Sequence, residues 1–161
     1  IVIFCRGRLM IRLSNLADYA VVLMSNIAAR PDDIHTALKL NADTKVPLPT
    51  VSKILGKLAK ADLLISHRGI GGGFLLNSGK SDISIADIIE AVDGPVQLTN
   101  CLGEHDMSCD FEPVCMTRSK WDKINRAVYE ALDSVSLSEM VIQPLDFFAA
   151  PENEEILETE G

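Results

Sequence analysis

Three cysteines, Cys101, Cys109 and Cys115, fall within one stretch of fifteen residues, Cys101-Leu-Gly-Glu-His-Asp-Met-Ser-Cys109-Asp-Phe-Glu-Pro-Val-Cys115. Three soft thiolates so close together suit iron-sulfur or zinc rather than calcium or magnesium. In a reducing cytoplasm such a group binds metal more readily than it forms disulfides, with incidental free thiols as the bland alternative. The intervals match neither the Cys-x2-Cys pairs of zinc ribbons nor the ferredoxin repeat, so spacing does not name the metal. His105 lies inside the same stretch, as a further imidazole ligand or a solvated loop residue. Cys5 stands apart near the start of the chain.

The elements around this segment must position it. Ser14 precedes Asn15 to Ala29, a helix-periodic apolar run stopped by Pro31, and is its expected N-cap. A shorter helix is expected over Thr36 to Ala42, then a turn at Lys45 to Pro47. A third helix follows over Pro49 to Ala61. There Val51, Ile54, Leu55 and Leu58 recur at helical spacing, while Thr50, Ser52, Lys53, Lys57 and Lys60 occupy the other faces. Pro49 sits in the first turn, where a missing N–H loses no intrahelical bond. Two short helices joined by a tight turn, the second basic on its free face, form a helix-turn-helix whose recognition helix enters the major groove.

Leu63 to Arg68 and Phe74 to Asn77 are strand-like and joined by Gly69-Ile-Gly-Gly-Gly73, which predicts a hairpin, here a wing. Its glycines let backbone approach a phosphate closely, and Arg68 suits the narrow minor groove. A phosphate-binding P-loop is excluded, because no helix with Lys-Ser/Thr follows. Ser84 to Val92 predicts another amphipathic helix, stopped at Asp93-Gly94-Pro95. Beyond the cysteines, Trp121, Ile124, Val128, Ala131 or Leu132, and Val135 make an apolar stripe, which serves as core or as a dimer seam.

The fold class expected is mainly α with a small β-hairpin: a winged helix-turn-helix domain plus a long C-terminal dimerisation helix. Residues 1–9 are set aside as a doubtful N-terminal extension, since Met10 opens a segment that reads as a natural start. Residues 10–95 form the DNA-binding domain, 96–117 a cluster-binding loop and 118–143 the dimerisation helix region. Residues 144–161 form an acidic tail, with five Glu from 151 onward. The net charge of −8 argues against a nucleic-acid partner, but the average hides a split. Residues 1–80 carry 11 Lys+Arg against 5 Asp+Glu, and residues 81–161 carry 4 against 18. The basic half can face DNA while the acidic half faces away. No apolar run approaches the roughly 20 residues a membrane span needs, and Ile1 to Phe4 lacks a signal-peptide layout, so a cytoplasmic chain without a membrane partner is expected. His35, His67 and His105 are scattered without a nucleophile partner, so neither an enzyme nor a small-molecule substrate is expected.

From Met10 to about Val135 the chain resembles the winged helix-turn-helix iron-sulfur transcriptional regulators of the IscR and NsrR type. It is most similar to the regulators of the SUF iron-sulfur assembly system. The motifs that carry this are Met10-Ile-Arg-Leu13, Val51 to Leu58 with Ala61-Asp-Leu-Leu64, His67-Arg-Gly-Ile-Gly-Gly-Gly-Phe74, Ile85-Ala-Asp-Ile-Ile-Glu-Ala-Val92 and the three-cysteine loop. The resemblance implies homodimers on double-stranded promoter DNA, sensing iron, redox or nitric oxide through a [2Fe-2S] or [4Fe-4S] cluster. Cys101, Cys109 and Cys115 would be ligands, and Pro49, Thr50, Ser52, Lys53, Arg68, Gly69, Gly71 and Gly72 would lie at the DNA. Lys57 joins that set from its place on the helix.

One departure concerns the fourth ligand. IscR-like members place a histidine three residues after the last cysteine; here Arg118 stands there and cannot ligate. NsrR-like members use an aspartate from the first helix of the other subunit, and Asp18 stands at the matching place. Its alternative role is a first-turn acid that stabilises the helix N-terminus. Two rivals remain from the residues: an iron-sulfur or electron carrier, which needs no wing, and a zinc-stabilised winged helix without sensing.

Overall fold

A computed structural model describes residues 13–79, 82–99 and 118–141. Helix α1 spans Asn15–Ala28, and Ser14 caps it by accepting the N–H groups of Leu16 and Ala17. Apolar residues at helical spacing give α1 a fully buried side of Ala17, Ala20, Leu23, Met24 and Ile27. Each large side chain buried there stabilises the fold by roughly 1.5–3 kcal/mol relative to exposure. Helix α2, Ala37–Thr44, starts at the Thr36 cap and ends at Lys45, which takes a left-handed conformation at φ 62°. Helix α3, Leu48–Lys60, follows at once with Pro49 in its first turn, as expected.

The hairpin is present as strands β1, Leu64–His67, and β2, Gly73–Leu76, antiparallel with Leu64 opposite Leu76 and His67 opposite Gly73. Helix α4, Ile85–Asp93, begins in a reciprocal capping box. Ser84 Oγ accepts the Asp87 N–H, and the Asp87 carboxylate accepts the Ser84 N–H. Such a pair satisfies two donors that a helix start leaves unbonded. Helix α5 covers Arg118–Asp133, and a 3-10 turn covers Leu137–Met140.

One core joins these pieces. α1, α3 and α4 pack through Leu23, Ile27, Ile54, Leu58, Ile88 and Val92, closed by Leu40, Leu63 and Leu137. The helical stripe of α5 divides in two. Leu132 and Val135 pack against this core, whereas Trp121 and Ile124 stay 39% and 47% exposed. The end of α5 is also tied down by backbone, since Ile85 donates to the Val135 carbonyl and Leu137 to that of Ile83. The C-terminal helix region is therefore fixed at its end to the core that also holds α3. No described helix is long and apolar enough to cross a membrane.

Candidate nucleic-acid interface and cysteine site

The turn before α3 is built from side chains. Asn41 donates to the Val46 carbonyl at 2.7 Å, and Thr44 Oγ1 donates to the Leu40 carbonyl at 2.7 Å. These bonds hold the left-handed Lys45, so the chain reverses within three residues and α3 lies across α2. With Val51, Ile54, Leu55 and Leu58 buried, the opposite face of α3 shows Pro49, Ser52, Lys53 and Lys60 to solvent, and Thr50 is half-buried. Among the described residues neither Lys53 nor Lys60 makes an ion pair. A row of hydroxyl and ammonium groups on one helix face can bond phosphates and base edges.

Lys57 departs from that row. It is half-buried, and its ammonium donates to the carbonyl oxygen of Val92 at the end of α4. Four residues at 3.6 per turn rotate it about 40° from Lys53, toward the flank that meets α4. Within this subunit the Lys57 ammonium, expected at the DNA, serves a contact between helices. A cation there also complements the negative end of the α4 dipole.

The wing is anchored on both sides. β1 pairs with one edge of β2, and His35 bridges the other, exchanging backbone bonds with Phe74 at 2.8 and 2.9 Å. His35 is fully buried, its Nε2 3.0 Å from the Arg30 carbonyl and its Nδ1 without a partner among the described residues. This anchor fixes the wing relative to the helix-turn-helix. Beyond it, Arg68, Gly69, Ile70 and Gly71 are exposed, and Gly69 and Gly71 have φ of 107° and 84°. Gly72 serves a different purpose, since a Cβ there would lie 2.3 Å from the His67 carbonyl oxygen. The tip thus presents a guanidinium and bare backbone, which fits a groove of high negative potential. Sequence reasoning passed over Ile70, which stands fully exposed between the two positive-φ glycines. Apolar residues at such tips wedge between base steps in minor-groove binders; its place between Arg68 and the glycines was the available signal.

Cys101, Cys109, Cys115 and the alternative ligand His105 lie outside the described residues. No group of three potential metal ligands occurs among the described residues. Asp18 is described: it is exposed on the first turn of α1. It lines an apolar hollow of about 290 Å³ with Val21, Ile85, Leu132, Val135 and Met140. It forms no ion pair with a described residue. Its position near the α1 N-terminus supports the helix. Three thiolates in one short segment are the donor type that iron-sulfur or zinc takes.

Comparison with known proteins agrees with this layout. The chain is 30% identical over 151 residues to the HTH-type transcriptional regulator IscR of Photorhabdus laumondii, covering 93% of this chain and 85% of that one. Its fold is similar to that of T. potens IscR, with a TM-score of 0.61 and 25% identity over 96% of this chain and 97% of that one. It is also similar to CymR, the global cysteine regulator of B. subtilis, with a TM-score of 0.63 and 25% identity over 82% and 97%. These neighbours share the winged-helix fold, and the relatives are regulators of transcription, not enzymes. The profile of the Rrf2 family, described as iron-dependent transcriptional regulator, matches residues 13–143, and the chain belongs to that family.

Proposed function

We propose that this chain acts in the cytoplasm as a homodimer on promoter DNA, reports iron-sulfur cluster status and controls genes of cluster assembly. The observation that carries the reading is the coexistence of two features in one chain. An exposed basic recognition face and wing serve DNA, and three thiolates lie in one short stretch of sequence between α4 and α5. The fold alone does not choose the signal, because a protein described as a cysteine regulator shares it. The thiolates favour iron-sulfur.

The exposed Trp121 and Ile124 supply the apolar seam for a second copy, which sets two reading heads about one turn of DNA apart. Asp18 then serves as fourth ligand across the seam. A hard oxygen on a soft centre is a weaker ligand than a fourth thiolate, so the site is labile and suited to sensing. When bound, the cluster supplies a redox-active inorganic centre. The chain's own residues do the rest: the thiolates gather the segment, and α4 and α5 carry its shape to the heads. Both half-sites must be met at once, so small shifts in spacing change affinity.

The test is anaerobic purification with iron and sulfide counts and absorption spectra, followed by gel-shift titration of loaded and cluster-free protein. Operator affinities differing by about 5- to 150-fold, or 1–3 kcal/mol, are expected. Equal affinities, or a colourless protein holding stoichiometric zinc, refute the proposal.

A further inference from the structure

Residues 92–98 lead from the end of α4 toward the cysteines, and side chains from three helices hold them. At the start of this strap, Lys57 of α3 donates to the Val92 carbonyl. Glu90 of α4 accepts the Val96 N–H at 3.4 Å. Asn125 of α5 does more: its Nδ2 donates to the Val96 carbonyl at 2.9 Å, and its Oδ1 accepts the Leu98 N–H at 3.0 Å. One side-chain amide thus pairs with a C=O and with the N–H two residues on, as the edge of a neighbouring strand would. Leu98 stands three residues before Cys101.

Two residues restrain the strap between these holds: Pro95 has its φ fixed by its ring, and Val96 packs against the core. A displacement imposed at Leu98 reaches Asn125 directly through the bonds it makes to Leu98 and Val96. Asn125 sits on the helix that bears Trp121 and Ile124, and Lys57 on the helix that bears Lys53.

We infer that Asn125 and Lys57 are positioning residues that couple the cysteine segment to the dimer helix and to the recognition helix. This rests on the function proposed above. Asn125 reads the far end of the strap and passes its position to α5. Lys57 holds the near end and keeps α3 in step with α4. Neither side chain has to touch cluster or DNA to set how strongly one affects the other, which is the condition for a coupling role.

The experiment uses the full chain, loaded and cluster-free, as wild type, Asn125→Ala, Lys57→Met and Lys57→Arg. Two quantities are read: the ratio of operator affinities between the two forms, and exchange of the Leu98 amide hydrogen. Asn125→Ala is expected to bind iron and sulfide as wild type does, lose Leu98 protection in both forms, and lower the affinity ratio at least fivefold. Lys57→Met should lower the ratio likewise, and Lys57→Arg, which keeps a donor for Val92, should restore it. A merely structural role would lower stability and leave the ratio alone. Should Asn125→Ala fail to fold, Asn125→Asp keeps the acceptor for Leu98 and lacks the donor for Val96, and an intermediate ratio is expected. A wild-type ratio above one that survives loss of Leu98 protection overturns this inference alone. So does a Lys57→Met protein that loses affinity equally in both forms with a shallower salt dependence, since Lys57 would then be a phosphate contact. A wild-type ratio of one defeats the proposed function and the coupling with it.

Discussion

Replacing Lys53 with alanine isolates the electrostatic part of DNA binding. Lys53 projects from the exposed face of α3 and has no ion-pair partner among the described residues, so its removal leaves no buried charge behind. Alanine is the best helix former, so α3 should persist and Tm should stay within a degree or two. Each phosphate neutralised by a lysine contributes about 0.9 to the slope of log K against log salt. A dimer placing both copies of Lys53 on the backbone therefore loses about 1.8 from that slope on substitution. Raising salt from 50 to 200 mM should weaken wild type about 12-fold more than the variant, because fourfold dilution of the counterion gain acts through an exponent of about 1.8. Fluorescence anisotropy on one operator duplex across that salt range reads the difference. Lys120→Ala removes the same charge from α5 and should leave the slope unchanged, separating contact from net charge. A slope change near 0.9 would mean one head engages per complex. An unchanged slope for Lys53→Ala would refute the placement of α3 against the phosphates.

The glycines give a paired test of stability. Gly72→Ala pushes a methyl to 2.3 Å from the His67 carbonyl oxygen and should destabilise by about 1–3 kcal/mol, whereas Gly56→Ala in α3 meets nothing within 4 Å and should stabilise by about 0.5–1 kcal/mol. Thermal unfolding of both reads the opposite signs. The Ser136 N–H bonds Glu139 at 3.0 Å and, with the Ser136 hydroxyl, holds its carboxyl below the usual carboxylate range. That contribution is present above the ordinary carboxylate range and is lost as pH falls through the lowered value, so the Tm gap between wild type and Glu139→Ala should close in acid; a gap independent of pH would contradict it. Ile124→Asp puts a charge in the apolar face of α5. Sedimentation should show a monomer, and operator affinity should fall by about 10²-fold or more as the second half-site is lost.

Most of the fold was legible because it rests on local chemistry. Ser14 caps its helix as expected, and Thr36 and Ser84, expected as the first residues of theirs, prove to be the caps. The turn into α3 was placed but its cause was not: a left-handed lysine is held by Asn41 and Thr44, and only the folded backbone shows those bonds. Gly72 was expected at the DNA from the resemblance; the nearness of the His67 carbonyl, which only the folded hairpin shows, is a further reason for a glycine there. The internal contact of Lys57 was hidden for a plain reason. On a helical wheel Lys57 lies near Lys53, and its partner Val92 is 35 residues away, so no local pattern announces the contact. The bridge from His35 to Phe74 is hidden for the same reason.

The two halves of the α5 stripe follow from one geometric constraint. Leu132 and Val135 are drawn inward because Val135 and Leu137 bond the backbone at Ile85 and Ile83, which brings that end of the helix against α1 and α4. Among the described residues no backbone bond of that kind holds the earlier turns, where Asn125 bonds the strap leading to the cysteines. The helix is thus rooted in the head at its end and, among the described residues, leaves Trp121 and Ile124 partly exposed toward its start. A regular apolar period could not reveal that division, since Trp121, Ile124, Val128 and Leu132 obey the same spacing throughout. It is nevertheless what the proposed sensing requires. A helix buried along its whole length could not respond to the segment beside it, and one free along its whole length could not pass a response to the recognition helix.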